Sequence, residues 1–216
     1  MAPIKTSAQD KKVGFGLQAT PAITWLKPDD KETKKNGNGF GFGYGLMFDF
    51  RFGDNYSLST GLNLVSTSAK LDYLNTNSTG ISFTYGTGDK KQTDTIIGPF
   101  TNTYRINYFE LPIHLLLKTN EIGYMTYFGQ FGLASQFKTK ARVDASVNDI
   151  VDEEVGQEIK LINLGLSIGA GFEYSLGGNT KLIVALIYNN GFSDFLKNSD
   201  HTSNAKSFGL KLGVMF

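Results

Sequence analysis

The segment FGFGYGLMFDFRF, residues 40–52, decides the fold of this chain. Every even position from Phe40 to Phe52 carries a large apolar side chain, whereas the odd positions carry Gly, Met, Asp or Arg. Successive side chains of a strand point to opposite faces of a sheet, so this alternation predicts one long β-strand. Strands of soluble domains are most often about 5–6 residues long. A longer strand with one aromatic face and one small-residue face is typical of a barrel whose apolar face meets lipid.

The composition is compatible with a single membrane-embedded barrel and excludes several other kinds of protein. The 216 residues carry a net charge of +1, which gives no reason to expect nucleic acid as a partner. The chain has no cysteine, so disulfides and thiolate metal sites are excluded. No apolar run approaches the ~18–20 residues of a membrane-spanning helix. We expect the native precursor to carry an apolar export leader upstream of Met1.

Seven further segments alternate in the same way, which makes eight predicted strands. The eight predicted strands lie at about residues 13–25, 40–52, 56–64, 104–118, 122–138, 162–174, 182–188 and 208–216. The connections between them are alternately long and short, as in outer-membrane barrels with short periplasmic turns and longer outer loops. We therefore predict an all-β fold, an eight-stranded antiparallel up-and-down transmembrane β-barrel. It forms one domain over residues 12–216, preceded by a periplasmic polar tail at residues 1–11.

The loop lengths also predict an orientation, with both chain termini periplasmic and four long loops facing outward. Within the longest loop, residues 75–102, the pieces Ile81–Tyr85 and Thr95–Ile97 are candidates for a hairpin that extends the neighbouring strands. Aromatic residues fall at two levels, which predicts the belts that mark the two membrane interfaces. The belts comprise Trp25, Phe40, Tyr188 and Phe192 at the outer rim, and Phe52, Tyr56, Tyr174 and Phe216 at the inner rim.

A few charged side chains fall on the small-residue face, which the membrane interpretation places inside the barrel. They are Asp49, Arg51, Glu110, His114, Glu173 and Lys211. One interpretation is a polar pore or a proton path through the barrel. The other is an ion-pair network that plugs it, because an eight-stranded barrel is only wide enough for side chains and buried charges must be paired. We favour the ion-pair network and therefore expect no measurable conductance.

Three motifs and the C-terminus resemble a known family. Residues 108–118 (YFELPIHLLLK) resemble the Y-L-E-L/I-P-L-L-L-K motif of small PorT-like and OmpX-like outer-membrane barrels. Residues 169–174 (GAGFEY) and 188–195 (YNNGFSDF) resemble two further motifs of that family. The chain end resembles the signal that the barrel-assembly machinery reads in such proteins, carried here by Phe208, Leu210, Leu212, Val214 and Phe216. The resemblance implies insertion by that machinery into a bacterial outer membrane.

Two stretches suggest chemistry, and neither is complete. Residues 201–205 (HTSNA) resemble the H-x-S-N-A motif of outer-membrane lipid A deacylases, but no acidic residue follows Asp200 to orient His201. The acidic residues of the loop at 140–158 lack the Asp and Gly spacing of a calcium loop, which favours a solvated loop. They are Asp149, Asp152, Glu153, Glu154 and Glu158. We therefore predict no catalytic residue, no metal site and no cofactor.

The sequence leaves three functions open. The leading prediction is a non-enzymatic outer-membrane barrel with a structural, adhesive or accessory role in an envelope complex. Its partners would then be outer-membrane lipid, lipopolysaccharide and proteins that meet its outer loops. The alternative is a soluble, lipocalin-like lipid-binding barrel, in which the apolar face lines a cavity. A lipid A deacylase is the third. The small-residue face holds few charges for a surface in water, which favours the membrane.

Overall fold

Eight long strands close into an antiparallel barrel, as the sequence predicts. The computed structural model describes residues 12–28, 33–74, 81–86, 91–146, 151–155, 159–193 and 203–216. Within these ranges, no helix is long and apolar enough to cross a membrane. The predicted tail at residues 1–11 lies outside the described residues.

The described part of the chain contains twelve strands, of which eight build the barrel wall. In chain order they are β1 (Val13–Pro28), β2 (Thr33–Lys35), β3 (Gly39–Arg51), β4 (Tyr56–Tyr73), β5 (Ile81–Tyr85), β6 (Gln92–Ile96), β7 (Phe100–Lys118), β8 (Met125–Ala145), β9 (Glu153–Glu154), β10 (Ile162–Gly177), β11 (Thr180–Gly191) and β12 (Ser203–Met215). The wall runs β1-β3-β4-β7-β8-β10-β11-β12, and β12 pairs with β1 to close it.

The two ends of the barrel differ. The end that carries both described termini, here called the terminal end, has short turns between β3 and β4, β7 and β8, and β10 and β11. The opposite end, here called the loop end, carries the long connections. There β2 adds to β4 and β9 adds to β8, while β5 and β6 form a separate two-stranded sheet. The predicted hairpin therefore exists, but it does not extend the neighbouring barrel strands.

Burial along β3 establishes which face points outward. The even residues from Phe40 to Phe50 are exposed or half-buried, whereas Gly41, Gly43, Met47 and Asp49 are buried. The apolar face is thus the outer surface of the barrel and the small-residue face is its interior. The lipocalin-like alternative is wrong, because it requires the apolar face to line the cavity.

Three wall strands are longer than predicted and reach past the lipid-facing region at the loop end. β4 continues to Tyr73, β7 begins at Phe100 and β8 continues to Ala145. Membrane strands need only about 9–11 residues, so the 18, 19 and 21 residues of these strands exceed the requirement. We call this part the loop-end extension.

The extensions of β4 and β7 escaped prediction because the apolar residues change from one face to the other along each strand, whereas in β8 a bulge at Thr139 turns the apolar residues inward. In β4, Leu58, Leu62 and Leu64 point outward, whereas Leu71 and Tyr73 point inward and are buried. A strand in lipid places its apolar side chains outside, and a strand in water places them inside. The inversion therefore marks the level at which the wall leaves the lipid-facing region, and it resembles a loop when only outward apolar residues are counted.

Candidate functional site

An apolar core fills the loop-end extension. It combines inward side chains of β1, β4, β7 and β8 with residues from the loop-end connections. This loop-end core comprises Leu26, Ala69, Leu71, Tyr73, Ile96, Phe100, Tyr104, Ile106, Tyr108, Ala141, Val143, Val155 and Ile159. The Tyr73 ring stacks on Phe100 with 4.7 Å between ring centroids, and its hydroxyl lies 2.9 Å from that of Tyr104. The wall thus has its own core beyond the lipid-facing region, which makes the extension a rigid platform.

A second apolar cluster crosses the barrel near the terminal end. This plug comprises Met47, Leu116, Phe128, Ile183, Ala185 and Met215, all of them at most 8% exposed. The side chains come from five different wall strands and meet on the barrel axis. Close-packed apolar side chains exclude water and ions, so we expect the plug to close this end.

A charged cluster lies beside the plug on its terminal side. Lys118 Nζ lies 2.6 Å from Asp49 Oδ2 and 2.5 Å from Glu173 Oε1, and Lys181 Nζ lies 2.9 Å from Glu173 Oε2. The side chains of Lys118, Asp49 and Glu173 are 6%, 9% and 4% exposed. Two lysines therefore balance two buried carboxylates, as burial of charge requires. We call these four residues the terminal ion cluster.

Both lysines of this cluster were missed in the sequence analysis. Strand parity, meaning whether a residue falls on the inward or the outward alternate positions of its strand, could have found them. Lys118 shares the parity of Glu110 and His114 along β7, and Lys181 shares that of the buried Ile183 along β11. Arg51, predicted to join the network, lies half-buried at the terminal end of β3, opposite Ser57.

Glu110 belongs to a different arrangement, which we call the polar belt. The belt comprises Gln18, Asn63, Glu110, Gln136, Asn163 and Ser193. On one side, Gln18 Nε2 donates to Asn63 Oδ1 at 2.6 Å, and Asn63 Nδ2 donates to Glu110 Oε1 at 3.0 Å. On the other side, Gln136 Nε2 donates to Glu110 Oε2 at 2.7 Å.

The belt continues past Gln136 with the same direction of donation. Asn163 Nδ2 donates to Gln136 Oε1 at 2.8 Å, and Ser193 Oγ donates to Asn163 Oδ1 at 2.6 Å. Every hydrogen bond of the belt therefore runs toward Glu110, so the amide dipoles stabilise its carboxylate without a cation. The six predicted interior residues thus divide among separate groups and do not form one network.

Gly45 allows the belt to cross β3. Gln18 on β1 bonds to Asn63 on β4, and β3 lies between these strands. A Cβ atom on Gly45 would lie 2.6 Å from Asn63 Oδ1 and closer still to the Leu62 carbonyl oxygen. A Cβ on Gly43, two residues away on the same face, would come no closer than 3.4 Å to any neighbour, with Val65 Cγ2 the nearest atom. We therefore expect a side chain at Gly45 to be tolerated less well than one at Gly43.

We expect Gly45→Ala to lower the free energy of unfolding by about 1–3 kcal/mol, because the new methyl group must displace β4 backbone or break the belt. Gly43→Ala, the matched control, should change it by less than about 0.5 kcal/mol. Both can be measured by denaturant unfolding of the protein folded into lipid vesicles. Equal effects of the two substitutions would contradict this account of Gly45.

A cavity lies inside the barrel around the polar belt, with Thr24, Thr67 and Tyr108 on the loop-end side of the belt residues and His114 and Lys211 among its other lining residues. The centre of a water molecule can occupy about 110 Å³ of it. Its ionisable lining residues are Tyr44, Tyr108, Glu110, His114, Lys206 and Lys211, and no residue of the plug or of the terminal ion cluster lines it. Lys211 Nζ lies 3.5 Å from Gln130 Oε1, and His114 Nε2 has no hydrogen-bond partner among the described residues. We call this cavity the chamber.

The predicted aromatic belts fall near the two ends of the lipid-facing surface. Trp25 lies 6.4 Å from the Tyr188 ring, and Lys35 Nζ lies 5.2 Å from the Trp25 ring. At the terminal end, the rings of Phe52 and Tyr56 stack at 6.4 Å. Phe40, Phe192, Tyr174 and Phe216 are 65%, 56%, 36% and 49% exposed.

The residues predicted to form the assembly signal share the outer face of β12 and its C-terminal end. Phe208, Leu210, Leu212 and Phe216 are exposed and Val214 is half-buried, whereas the residues between them are buried. The Phe216 amide bonds to the Phe15 carbonyl at 2.7 Å, so the last residue still pairs with β1.

Ion pairs on the loop-end extension hold part of the acidic loop. Arg105 lies 2.7 Å from Asp144 Oδ2 and 3.0 Å from Asp152 Oδ1, and Arg142 also contacts Asp152. No metal-binding group of acidic or histidine residues occurs within the ranges that the structure describes. Asp149 and Glu158 lie outside those ranges. In the neighbouring hairpin, the hydrogen bond to Asp94 raises the pKa of Tyr85.

Ser203, the serine of the deacylase-like motif, is the first residue of β12. Its side chain is 1% exposed and faces the barrel interior. The acyl chains of a membrane lipid lie outside the wall, so Ser203 does not face them. His201 and Thr202 lie outside the described residues. This placement counts against a deacylase built on the H-x-S-N-A motif.

Comparison with known proteins yields one family match. A family model described as "outer membrane protein beta-barrel domain" matches residues 7–197. No curated protein sequence matches the chain.

Solved structures of outer-membrane barrels are similar to this chain at low sequence identity. Neisserial surface protein A is 13% identical, with 93% of this chain and 95% of that chain covered and a TM-score of 0.50. OprG of Pseudomonas aeruginosa is 12% identical over 94% and 95%, with a TM-score of 0.45. The outer membrane protease OmpT of Escherichia coli is 8% identical over 96% and 97%, with a TM-score of 0.44. The first likeness supports the barrel fold, and none of the three bears on activity.

Proposed function

The chain belongs to the outer membrane protein beta-barrel domain family, and from this premise we propose that it is a non-enzymatic barrel that presents a rigid platform outside the cell. Its role is structural, adhesive, or that of an accessory subunit in an envelope complex. Both termini lie in the periplasm and the loop end faces the exterior. The resemblance of residues 108–118 to small PorT-like barrels supports a place within that group.

The loop-end core is the observation that carries this proposal. Three wall strands continue past the lipid-facing region and enclose thirteen buried apolar side chains there. A barrel that served only to cross the membrane would not need this second core. Ordered strands at the loop end supply a fixed surface for a partner, and fixed surfaces bind with less loss of conformational entropy than flexible loops.

The proposed orientation can be tested with single cysteines, because the chain has no cysteine of its own. Thr93 lies in the hairpin at the loop end and Asn120 in a turn at the terminal end. In intact cells, a membrane-impermeant maleimide should label Thr93→Cys and leave Asn120→Cys unlabelled. Both should react once the outer membrane is disrupted. The opposite pattern in intact cells would reverse the orientation.

A closed interior follows from the plug and the loop-end core, which lie on either side of the chamber. We expect the purified protein to give no stable conductance steps in planar bilayers. A general porin measured in the same bilayers is the positive control. Reproducible single-channel currents from the folded, heat-modifiable form would show that the interior conducts, and the platform proposal would then lose its support against a pore.

The lipid and assembly partners follow from the same proposal. Outer-membrane lipid covers the apolar wall, and lipopolysaccharide surrounds the rim that carries Trp25, Phe40 and Tyr188. The barrel-assembly machinery inserts the chain by reading the apolar face of β12 that ends at Phe216. A larger envelope complex would meet the loop-end extension.

A further inference from the structure

Two opposite charges lie on the inward face of the chamber wall and do not touch, whereas Lys206, which also lines the chamber, shares the outward positions of Phe208 and Leu210 along β12. Glu110 lies on its wall and is bound by the amides of Asn63 and Gln136, whereas Lys211 lies on its wall beside Gln130. Asp49 and Glu173, which are buried, already bind Lys118 and Lys181 in the terminal ion cluster, whereas Glu110 is half-buried. Glu110 and Lys211 are therefore left facing the same enclosed space.

Lys211 is the less satisfied of the two. It is 8% exposed, and its one hydrogen bond, to Gln130 Oε1, is long at 3.5 Å. It has no ion-pair partner among the described residues. An ammonium group carries three donors, and burial of such a charge is costly unless acceptors surround it. The arrangement leaves donors of Lys211 available to a carboxylate in the chamber.

Glu110 can accept more hydrogen bonds than it receives. Each carboxylate oxygen takes one bond from an amide of the belt. An ionised carboxylate offers about four acceptor positions, so about two remain. Because the belt supplies no cation, Glu110 is suited to an ammonium group.

Three further polar atoms on the chamber wall lack partners within the part of the chain that the structure describes. They are Gln18 Oε1, His114 Nε2 and Ser167 Oγ, and these residues are 8%, 5% and 1% exposed. Buried polar atoms of proteins are nearly always hydrogen-bonded, so such atoms around one cavity indicate a polar occupant. Together with the two charges, they form a site built by four different strands.

We propose that the chamber binds a small zwitterion of the α-amino acid type, with its carboxylate on Lys211 and its ammonium group on Glu110. A dipolar ligand joins the two separated charges without adding net charge to the interior. A lone anion or a lone cation would leave one excess charge buried. The complementarity of charge therefore selects a molecule that carries both.

The chamber suits a molecule of the size of glycine. One water centre needs about 10–15 Å³, so the 110 Å³ of the chamber has room for several waters or one such ligand. The plug closes the chamber toward the terminal end, so the ligand is held and does not pass through. Binding without permeation separates this site from a transport path.

The test uses the full-length protein in detergent with four probes: glycine, acetate, methylammonium and neutral acetamide. Each is added after folding and, separately, during refolding, so that slow entry does not hide a site. The readouts are the temperature at which the fast-migrating folded form is lost, and the ¹³C resonances of labelled glycine. We expect saturable binding of glycine and much weaker effects of the other three probes.

Two variants link binding to the chamber. Lys211→Met and Glu110→Gln should each weaken glycine binding by at least about tenfold, because each removes a charge-assisted interaction. Lys70→Met, which removes an exposed lysine of β4, is the matched control and should bind as the unaltered protein does. Glycine permeation into proteoliposomes should stay at the level of protein-free vesicles.

Several results would overturn the proposal. Absence of a glycine-specific shift in the unaltered protein would mean that the chamber holds water alone, and this outcome needs no variant that folds. If glycine and acetamide raised the temperature at which the folded form is lost by the same amount, the two charges of the chamber would not contribute to binding. Glycine binding that survives Lys211→Met would place the ligand elsewhere. Each of these results would leave the proposed platform at the loop end untouched.

Discussion

Replacing Lys118 with methionine is expected to lower the free energy of unfolding by about 3–5 kcal/mol, the range seen when one partner of a buried ion pair is removed. Lys118 binds Asp49 and Glu173 at once, and all three side chains are less than 10% exposed. Methionine fills a similar volume but leaves two buried carboxylates with one cation. Lys181 reaches only Glu173, so Asp49 loses its sole cation of the cluster.

The measurement is reversible denaturant unfolding of protein folded into lipid vesicles. Lys181→Met is the matched control, because its side chain is 27% exposed and water can replace it. Lys181→Met should lower the free energy of unfolding by less than half as much as Lys118→Met does. The double variant Lys118→Met/Asp49→Asn restores the balance of charge between Glu173 and Lys181 and should recover part of the loss. A smaller effect for Lys118→Met than for Lys181→Met would show that the cluster is not buried in solution.

The second large effect is expected on the outer face. Leu46→Arg should cost about 2–4 kcal/mol and impair insertion, because the position lies near the middle of the lipid-facing surface. Leu46 stands in register with Leu17 and Leu62, which are 53% and 41% exposed on the outside of the wall. An arginine there must carry its charge into the apolar region of the bilayer.

The control for this substitution places the same charge at a different depth in the membrane. Phe52→Arg places the same charge at the rim of the terminal end, where the cost falls to about 0–1 kcal/mol. Both variants can be compared by unfolding in vesicles and by the yield of the heat-modifiable form in membranes. If both substitutions were tolerated equally, the outer face of β3 would not lie in lipid. An inner-face change, Gly43→Ser, should lower the free energy of unfolding less than Leu46→Arg does, because a Cβ atom there meets its neighbours at ordinary contact distances of 3.4–3.9 Å.

Strand faces could be predicted from the sequence because they follow from local geometry. The period of two along residues 40–52 depends on no other part of the chain, and it correctly placed Phe42 outside and Asp49 inside. The same period gave the number of strands and, with the loop lengths, the order of short and long connections. The extension of β4 to Tyr73 was missed because the apolar residues change faces where the strand leaves lipid.

Interior partners, by contrast, are set by register and by the closure of the barrel. Lys118 and Glu173 are 55 residues apart, and Gln18 and Asn63 are 45 apart. Parity shows that such side chains point inward but not at which height they meet, because height depends on the stagger between strands. The sequence grouped Asp49, Glu110 and Glu173 into one network, whereas the structure separates Glu110 from the other two.

The sequence by itself therefore determined the class of fold, the face of each residue within the predicted strands and whether each face is apolar or polar, all of which depend on near neighbours in the chain. Only the tertiary structure decided which lysine meets which carboxylate, that the belt converges on Glu110, and that a chamber remains around the belt inside the barrel. These features arise because eight strands must close with one common stagger, and that constraint acts on the whole chain at once.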